Sequence, residues 1–423
     1  MSVQDLETQI AHISQDIERQ KQVLRKLERS KGALQRQLNT IRDPIARLPA
    51  EISSEIFLQC LPSDYPQSGI HHMPITLLNV CTNWTDITLS TTGLWTAIRV
   101  VFPCSKGFCD VLEGWFQRAR SHLLDLRVDV MGASDKDVGA LIRRQSGQLN
   151  RLELRFENEH DPDHLIFHET DLEPLPFLQN LSIASRDGIE VSWTPILQIL
   201  RRSPNLIDLS LQDLHLIDTS SSEDSTEPIV CPNLRRFLFT RNPFDLDSDD
   251  QIFQLIRAPG LESLILHDMH FQSTEFVPFL KRSSTMLQEL SFDCLHIRES
   301  LDQMDEFLGL VPSIARLIIS FPPLPILQRL ASNLAKHPVE ALPNLQSLEL
   351  RFYSDDLSVD SPWTVLLPVL LDRCSKFKSL RITVHEGQVL DELEAELVTP
   401  LRGLSAVGID IWVGTVKENL FNP

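Results

Sequence analysis

Apolar residues recur in alternating steps of three and four along residues 3–41, with mostly polar residues between them. These recurring positions, called the seam below, are Val3, Leu6, Ile10, Ile13, Ile17, Gln20, Leu24, Leu27, Lys31, Leu34, Leu38 and Ile41. Ten of the twelve residues are apolar, which is the heptad pattern of a coiled coil. The pattern predicts a coiled-coil helix over residues 1–42, about 60 Å long, which ends at Arg42-Asp43-Pro44.

An apolar stripe of this length would stay hydrated on an isolated helix, so it predicts a partner. One interpretation is a homodimer through residues 3–41, in which the polar seam residues Gln20 and Lys31 fix register or partner choice. The other is a self-associating or folded-back tail without a specific role. The pattern leaves both interpretations open.

A short amphipathic helix is predicted between Pro49 and Pro62, within the stretch RLPAEISSEIFLQCLP. Ile52, Ile56 and Phe57 share one stripe of that helix. The following segment also ends on bulky apolar residues, namely Trp84, Leu94 and Trp95. Three short helices in about 55 residues close a poor core. Residues 43–98 therefore predict a small all-α domain that leaves an apolar patch open.

From residue 95 onward, an apolar-x-x-apolar-x-apolar pattern recurs twelve times at intervals of 26 to 32 residues. It reads WTAIRV, LLDLRV, LNRLEL, LQNLSI, LIDLSL, LRRFLF, LESLIL, LQELSF, IARLII, LQSLEL, FKSLRI and LSAVGI. At 42% apolar residues, about one frame in fourteen matches by chance. Twelve matches in phase therefore mark a real repeat, and its period resembles that of leucine-rich repeats.

Proline and helical spacing indicate what each repeat contains. Proline stands two residues before the first apolar position in SPNL, CPNL, APGL, VPSI and LPNL, where it ends a helix. Ahead of it lie stretches such as SWTPILQIL, with apolar residues at i, i+3, i+4 and i+7. Residues 95–423 therefore predict an α/β solenoid, a leucine-rich repeat arc with parallel strands on its concave face.

The net charge of −19 argues against nucleic acid or an anionic membrane as a partner. No apolar run approaches the length of a membrane span, and the N-terminal residues carry no apolar core of a signal peptide. The seven cysteines are scattered and contain no C-x-x-C, which indicates a reducing compartment. We expect a cytoplasmic or nuclear protein.

Residues that alternate with the apolar positions of each strand face the predicted concave side. Their full charges balance, eight basic against eight acidic. The candidate contacts for a protein substrate are Arg127, Arg151, Arg155, Arg236, Arg316, Arg351 and Arg381. Paired guanidinium groups could bind carboxylate or phosphate. The alternative is a solvated face with ion pairs that contribute little energy.

No motif of the types G-x-S-x-G, G-x-x-x-x-G-K-[ST], G-x-G-x-x-G or H-E-x-x-H occurs, so no catalytic residue, cofactor or enzyme activity is predicted. His160, His164 and His168 are four residues apart, but Pro162 breaks a helix there, and a polar loop or short helix without metal is predicted. Residues 218–228, DTSSSEDSTEP, predict a disordered loop, with phosphorylation as the alternative.

Residues 43–98 resemble the F-box, whose pattern is P-I-x-x-L-P-x-E-I, then I-F, then L-x-x-V-C-x-x-W, then L-W. The matching residues are Pro44, Ile45, Leu48, Pro49, Glu51, Ile52, Ile56, Phe57, Leu77, Val80, Cys81, Trp84, Leu94 and Trp95. The stretch CTNWTDI lacks the basic residues that the family usually has around V-C-x-x-W. A coiled-coil helix (1–42), an F-box (43–98) and leucine-rich repeats (95–423) resemble the order in fungal F-box proteins.

The resemblance implies a role for each matching residue. Contact with the small adaptor of a cullin–RING (SCF-type) ubiquitin ligase would come from Ile45, Leu48, Pro49, Ile52 and Ile56. The F-box core would be formed by Phe57, Leu77, Val80, Cys81, Trp84, Leu94 and Trp95. The chain would then be the substrate-recognition subunit, with the repeats binding an unknown protein substrate. The alternative is a leucine-rich repeat scaffold without a ligase role, in which these residues only cap the solenoid.

Overall fold

The structure is a computed structural model. It describes residues 3–61, 73–133, 135–157, 173–186, 190–217, 228–241, 251–267, 276–283, 286–294, 306, 308–336, 342–352, 363–373, 376–384, 395–415, 419 and 421. The chain divides into two compact units, which are described separately. The helical unit comprises Met1–Val100 and Gly107–Leu124, and the repeat unit comprises Val101–Lys106 and Asp125–Pro423.

The helical unit begins with one long helix, α1 (Val3–Arg42). Four shorter helices follow: α2 (Ala50–Gln59), α3 (Met73–Leu78), α4 (Thr82–Ser90) and α5 (Phe108–Ala119). Single turns of 3₁₀ helix at Ile45–Arg47 and Thr92–Trp95 precede α2 and follow α4. Helix α5 lies within the residues predicted as repeats, and its contacts place it in the helical unit.

The core of the helical unit is aromatic. Phe57 on α2 packs against Trp84 on α4, with ring centroids 4.8 Å apart. Trp95 packs edge-on against Trp115 on α5 at the same separation, and the Arg118 guanidinium lies over its ring. The Trp95 indole donates a hydrogen bond to the Thr88 carbonyl oxygen at 3.0 Å, so the polar group of this fully buried ring is satisfied.

The repeat unit is built on one large parallel sheet. The described strands are β1 (Ala97–Phe102), β2 (Leu124–Val130), β3 (Leu149–Phe156), β4 (Asn180–Ser185), β5 (Glu190–Ser192), β6 (Asp208–Ile217), β7 (Ile229–Val230), β8 (Arg236–Arg241), β9 (Ile256–Arg257), β10 (Ser263–His267), β11 (Glu289–Asp293), β12 (Arg316–Ser320), β13 (Ser347–Phe352), β14 (Ser379–Val384) and β15 (Asp410–Gly414). Three short strands lie outside the main order, and two of them, β7 and β9, pair with each other in a separate sheet. In the described residues the strand order is β1-β2-β3-β4-β6-β8-β10-β11-β12-β13-β14-β15. Strand β1 spans the division between the units, and β5 pairs with β6.

Helices connect many of these strands. In the described residues they are α6 (Lys136–Arg144), α7 (Trp193–Arg202), α8 (Gln251–Leu255), α9 (Phe276–Ser283), α10 (Leu324–Lys336), α11 (Trp363–Asp372) and α12 (Ala395–Ala406). The helix predicted in SWTPILQIL is α7, whose Ile196, Leu197 and Leu200 are buried. Strand followed by helix is the repeat that the spacing predicts, and a parallel sheet requires such crossovers.

From β3 to β15 the core positions of the strands pair in register, and a shift occurs between Gln212 and Leu214, where β6 pairs with β8. The fourth position of the repeat pattern aligns Leu152, Leu181, Leu209, Phe237, Leu264, Leu290, Leu317, Leu348 and Leu380 on adjacent strands, and Ile411 of β15 continues this row. All ten side chains are buried. The sixth position forms a second buried row beside it, from Leu154 to Val413. These two rows form one shared apolar interior, which is the architecture of an α/β solenoid.

The predicted proline turns join neighbouring repeats through side-chain amides. Asn205 donates to the Pro176 carbonyl oxygen at 2.8 Å, and Asn344 donates to that of Pro312 at 3.1 Å. At the equivalent turn a Cβ on Gly260 would lie 3.0 Å from the Pro232 carbonyl oxygen. Successive turns therefore stack closely enough that only glycine fits at this position without movement of the backbone.

The twelfth repeat begins later than its sequence pattern indicates. The stretch LSAVGI supplies the expected spacing, but Leu404 belongs to α12 and Val407 is exposed. The strand is β15, in which Ile411 pairs with Leu380 and Val413 with Ile382. Apolar residues at i, i+3 and i+5 also occur at the end of a buried helix, so the pattern alone was ambiguous here.

Substitution of Phe253 on α8 tests whether the repeats share one apolar interior. Phe253 is fully buried, and its ring centroid lies 5.1 to 6.2 Å from those of Phe237, Phe239, Phe276 and Phe279. Replacement by alanine removes these contacts and leaves a cavity. We expect Phe253→Ala to lower the free energy of unfolding by about 3–5 kcal/mol in urea denaturation.

The matched control is Phe177→Ala, because Phe177 is 51% exposed in a turn between repeats. This control should change the free energy of unfolding by less than about 0.5 kcal/mol. Equal effects of the two substitutions would contradict the assignment of Phe253 to the interior.

Candidate protein-binding surfaces

An exposed apolar stripe runs along the start of α2. Leu48 is 42% exposed, Ile52 51% and Ile56 38%. Pro49 is exposed as well and occupies the N-cap position of the helix, while Ile45 is half-buried. Ile52 and Ile56 are four residues apart and lie on the same side of α2, while Leu48 precedes the N-cap in an extended conformation. The structure thus places the five predicted adaptor contacts together, and four of them are exposed.

The opposite side of α2 faces the core of the helical unit. Ser53 and Phe57 are the buried residues of this helix, so Phe57 does not share the stripe of Ile52 and Ile56 as the sequence pattern predicted. Of the other predicted core residues, Leu77, Cys81, Leu94 and Trp95 are buried, whereas Val80 and Trp84 are half-buried. One side of α2 is therefore packed against the core, and the other side is open.

Asp43 fastens the chain ahead of α2 to helix α4. Its Oδ1 accepts hydrogen bonds from the Ile45 backbone N–H at 3.0 Å and from the Trp84 indole N–H at 2.9 Å. Its Oδ2 accepts from the Asn83 side-chain amide at 2.9 Å and contacts the Cys81 thiol at 3.9 Å. Burial alone would raise the pKa of Asp43, but these hydrogen bonds outweigh it and lower the pKa below its ordinary value of 3.8. Asp43 is therefore held as a carboxylate that links the Ile45 backbone to α4.

The seam of α1 is also exposed. Its ten apolar residues are between 39% and 84% exposed. The helix contacts the rest of the helical unit near its C-terminal end. There Asn39 donates to the Val80 carbonyl oxygen at 2.9 Å, and the Arg36 guanidinium donates to the Asn79 side chain. Neither Arg36 nor Asn39 is a seam residue, so these contacts leave the seam open.

The open face of the large sheet carries the predicted arginines. Arg127 contacts Asp129 at 2.9 Å, and Arg155 contacts Glu153 at 2.6 Å. The Arg236 guanidinium pairs with Asp208 on the adjacent strand through two nitrogens. These arginines occupy alternating positions, as predicted, and their charges are balanced by carboxylates of the same face.

The same arrangement recurs toward the C-terminal strands. Glu349, only 6% exposed, accepts from Arg316 at 3.1 Å and from Arg351 at 2.9 Å. The Arg381 guanidinium lies over the Trp412 ring, 5.1 Å from its centroid. Arg151 on β3 also has an interaction partner. An anionic ligand would have to compete with these carboxylates, which favours the interpretation of a face with internal ion pairs.

The central strands of this face carry apolar residues that the charge pattern did not reveal. Leu238, Ile265 and Ile318 occupy alternating positions of β8, β10 and β12. Leu238 and Ile265 are half-buried, and Ile318 is buried. Only their alternation with the aligned core rows could have identified them. The face therefore combines an apolar centre with flanking ion pairs, a composition typical of protein-binding surfaces.

Two further predictions fall outside the described residues. They concern His160, His164 and His168, and the loop at 218–227. Within the part of the chain that the structure describes, no group of three or more potential metal ligands occurs. No helix among those residues is long and apolar enough to cross a membrane.

Comparison with known proteins gives a structural likeness but no sequence match. No protein-family model matches the chain, and no curated protein matches its sequence. Among solved structures, the chain is similar to the leucine-rich repeat-containing protein LegL7 from Legionella pneumophila. The identity is 14% and the TM-score 0.31, over 73% of this chain and 98% of that chain. A TM-score this low carries no argument, so the class rests on the strand register. The repeat unit is an α/β solenoid of parallel strands, consistent with a leucine-rich repeat fold.

Asp43 gives a test of how the exposed stripe is held. Asp43→Asn removes the charge and can place an amide N–H₂ group opposite the N–H groups that now donate to the carboxylate. We therefore expect the free energy of unfolding to fall by about 1–2 kcal/mol at pH 7. The contribution of a carboxylate with a lowered pKa is complete above its unfolded-state pKa of about 3.9 and decreases as the pH falls through the folded-state value. Urea denaturation at several pH values should therefore show a constant difference from wild type between pH 5 and pH 7 that shrinks below about pH 4.

Asp86→Asn serves as the control, since Asp86 is exposed on α4. It should leave the unfolding free energy nearly unchanged at every pH. A difference for Asp43→Asn that persists undiminished at pH 3 would show that the carboxylate charge is not the stabilising feature.

Proposed function

We propose that the chain is the substrate-recognition subunit of a cullin–RING (SCF-type) ubiquitin ligase. The observation that carries the proposal is the exposed stripe of Leu48, Pro49, Ile52 and Ile56 beside a packed core. Exposed apolar residues that are ordered and adjacent are characteristic of a protein interface. In the F-box resemblance, these are the positions that contact the small adaptor of the ligase.

The repeat unit would bind the protein substrate through the open face of its sheet. The apolar centre of Leu238 and Ile265 would supply buried contact area, and the paired arginines would supply specificity at its margins. The chain would perform no chemistry itself. It would raise the effective concentration of the substrate near the transferring enzyme, in the cytoplasm or the nucleus.

A second candidate is a leucine-rich repeat scaffold without a ligase role. The parallel sheet with its connecting helices supports this candidate directly, since such solenoids offer extended binding surfaces. The two candidates differ in one respect: whether the α2 stripe binds the adaptor.

Adaptor binding can be measured by titrating the full chain with the purified adaptor in a calorimeter. A charge placed at the centre of the stripe would be buried unpaired in the complex. Leu48→Asp and Ile52→Asp should therefore each weaken binding by about thirtyfold or more.

Val111→Asp is the matched control, because Val111 is 54% exposed on α5 and does not belong to the stripe. This variant should bind the adaptor like wild type. Wild-type protein that shows no adaptor binding, or equal binding by all the variants, would favour the scaffold.

A further inference from the structure

The whole seam of helix α1 is exposed to solvent, while the other side of the helix contacts the rest of the helical unit. Counted as heptad positions a to g from Val3, the seam residues are a and d, whereas Arg36 is f and Asn39 is b. The contacts with Asn79 and Val80 thus use the side of the helix away from the seam. From the residues along this face we propose that a second copy of the chain covers the seam in an antiparallel orientation, with Lys31 of each helix facing Gln20 of the other.

The two polar seam residues decide the orientation. In a parallel dimer each seam residue faces its own copy, so that Lys31 would oppose Lys31 and place two ammonium groups together. In an antiparallel dimer a positions face d positions instead. Lys31 is at a and Gln20 is at d, so the Lys31 ammonium can donate to the Gln20 side-chain oxygen. The antiparallel arrangement converts a repulsive layer into a hydrogen-bonded one.

The register that pairs Lys31 with Gln20 also pairs the seam residues from Ile10 to Ile41, while Val3 and Leu6 lie beyond the end of the other helix. It sets Ile10 against Ile41, Ile13 against Leu38, Ile17 against Leu34 and Leu24 against Leu27. Each of these layers is apolar on both sides and occurs twice by symmetry. A slip of one heptad in either direction would set Lys31 against Ile13 or against Leu27, which buries the ammonium among apolar side chains.

The flanking charges select the same register independently. In an antiparallel pair, e positions lie beside e positions of the other helix. The register places Glu7 beside Arg42 and Lys21 beside Glu28, so both charged pairs attract. A slip of one heptad would place Lys21 beside Lys21 or Glu28 beside Glu28. Seam polarity and flanking charge therefore agree on one arrangement.

Charge reversal at Lys21 and Glu28 tests the arrangement in the full chain. Sedimentation equilibrium measures the dimer dissociation constant, and circular dichroism checks that helix content is unchanged. We expect a dimer at micromolar concentration. Lys21→Glu and Glu28→Lys should each raise the dissociation constant about tenfold, because each creates two like-charge contacts per dimer. The double variant should restore the wild-type value.

The controls distinguish the alternatives. Arg29→Glu alters the charge at an f position, where both orientations predict little effect. A parallel dimer would set Asp16 beside Lys21 and Val23 beside Glu28. In that case Glu28→Lys alone would leave the dimer dissociation constant unchanged, and the dissociation constant of the double variant would stay raised. Either that pattern or a monomeric wild-type chain would overturn the proposal.

Discussion

The structure of the repeat unit depends on one constraint, the in-register pairing of parallel strands over a shared apolar interior. A strand such as β10 buries Leu264 and Leu266 only because equivalent residues of β8 and β11 lie on either side. The sequence intervals between repeats vary from 26 to 32 residues, yet the buried positions of neighbouring strands stay aligned. Connecting segments thus absorb the variation in length, and the core positions do not.

The same register determines the chemistry of the open face. Side chains on adjacent parallel strands lie about 4.8 Å apart, so a charged residue there meets its neighbour whether or not a ligand is present. Pairing of Arg316 with Glu349, and of Arg236 with Asp208, follows from this spacing, whereas Arg351 pairs with Glu349 two residues away on the same strand. The near-neutral face on a strongly acidic chain is therefore a product of strand pairing. Its half-buried apolar centre distinguishes it from a merely solvated surface.

The sequence predicts the strands well because burial alternates along them, and this alternation survives variation in residue type. The apolar pattern misplaces the strand at Leu404 and Val407, because the end of a helix has the same apolar spacing there as a strand. It also gives no sign of the Asp43 cluster, because the side chains that bond this carboxylate lie 38 to 41 residues further along the chain. Contacts of that kind follow from how α4 packs, which periodicity does not reveal. The F-box resemblance identified the residues of the exposed stripe on α2. Their exposure depends on which side of the helix packs against the core.

We propose that the exposed residues Leu48, Pro49, Ile52 and Ile56 form a docking surface, which is positioned by the packed core of the helical unit. The most direct measurement is amide hydrogen exchange of the full chain, alone and saturated with the adaptor bound to its cullin. We expect complex formation to slow amide exchange mainly in residues 45–59 and to leave amide exchange in the repeat strands unchanged. Unaltered exchange in that segment, with protection confined to the repeat strands, would contradict it.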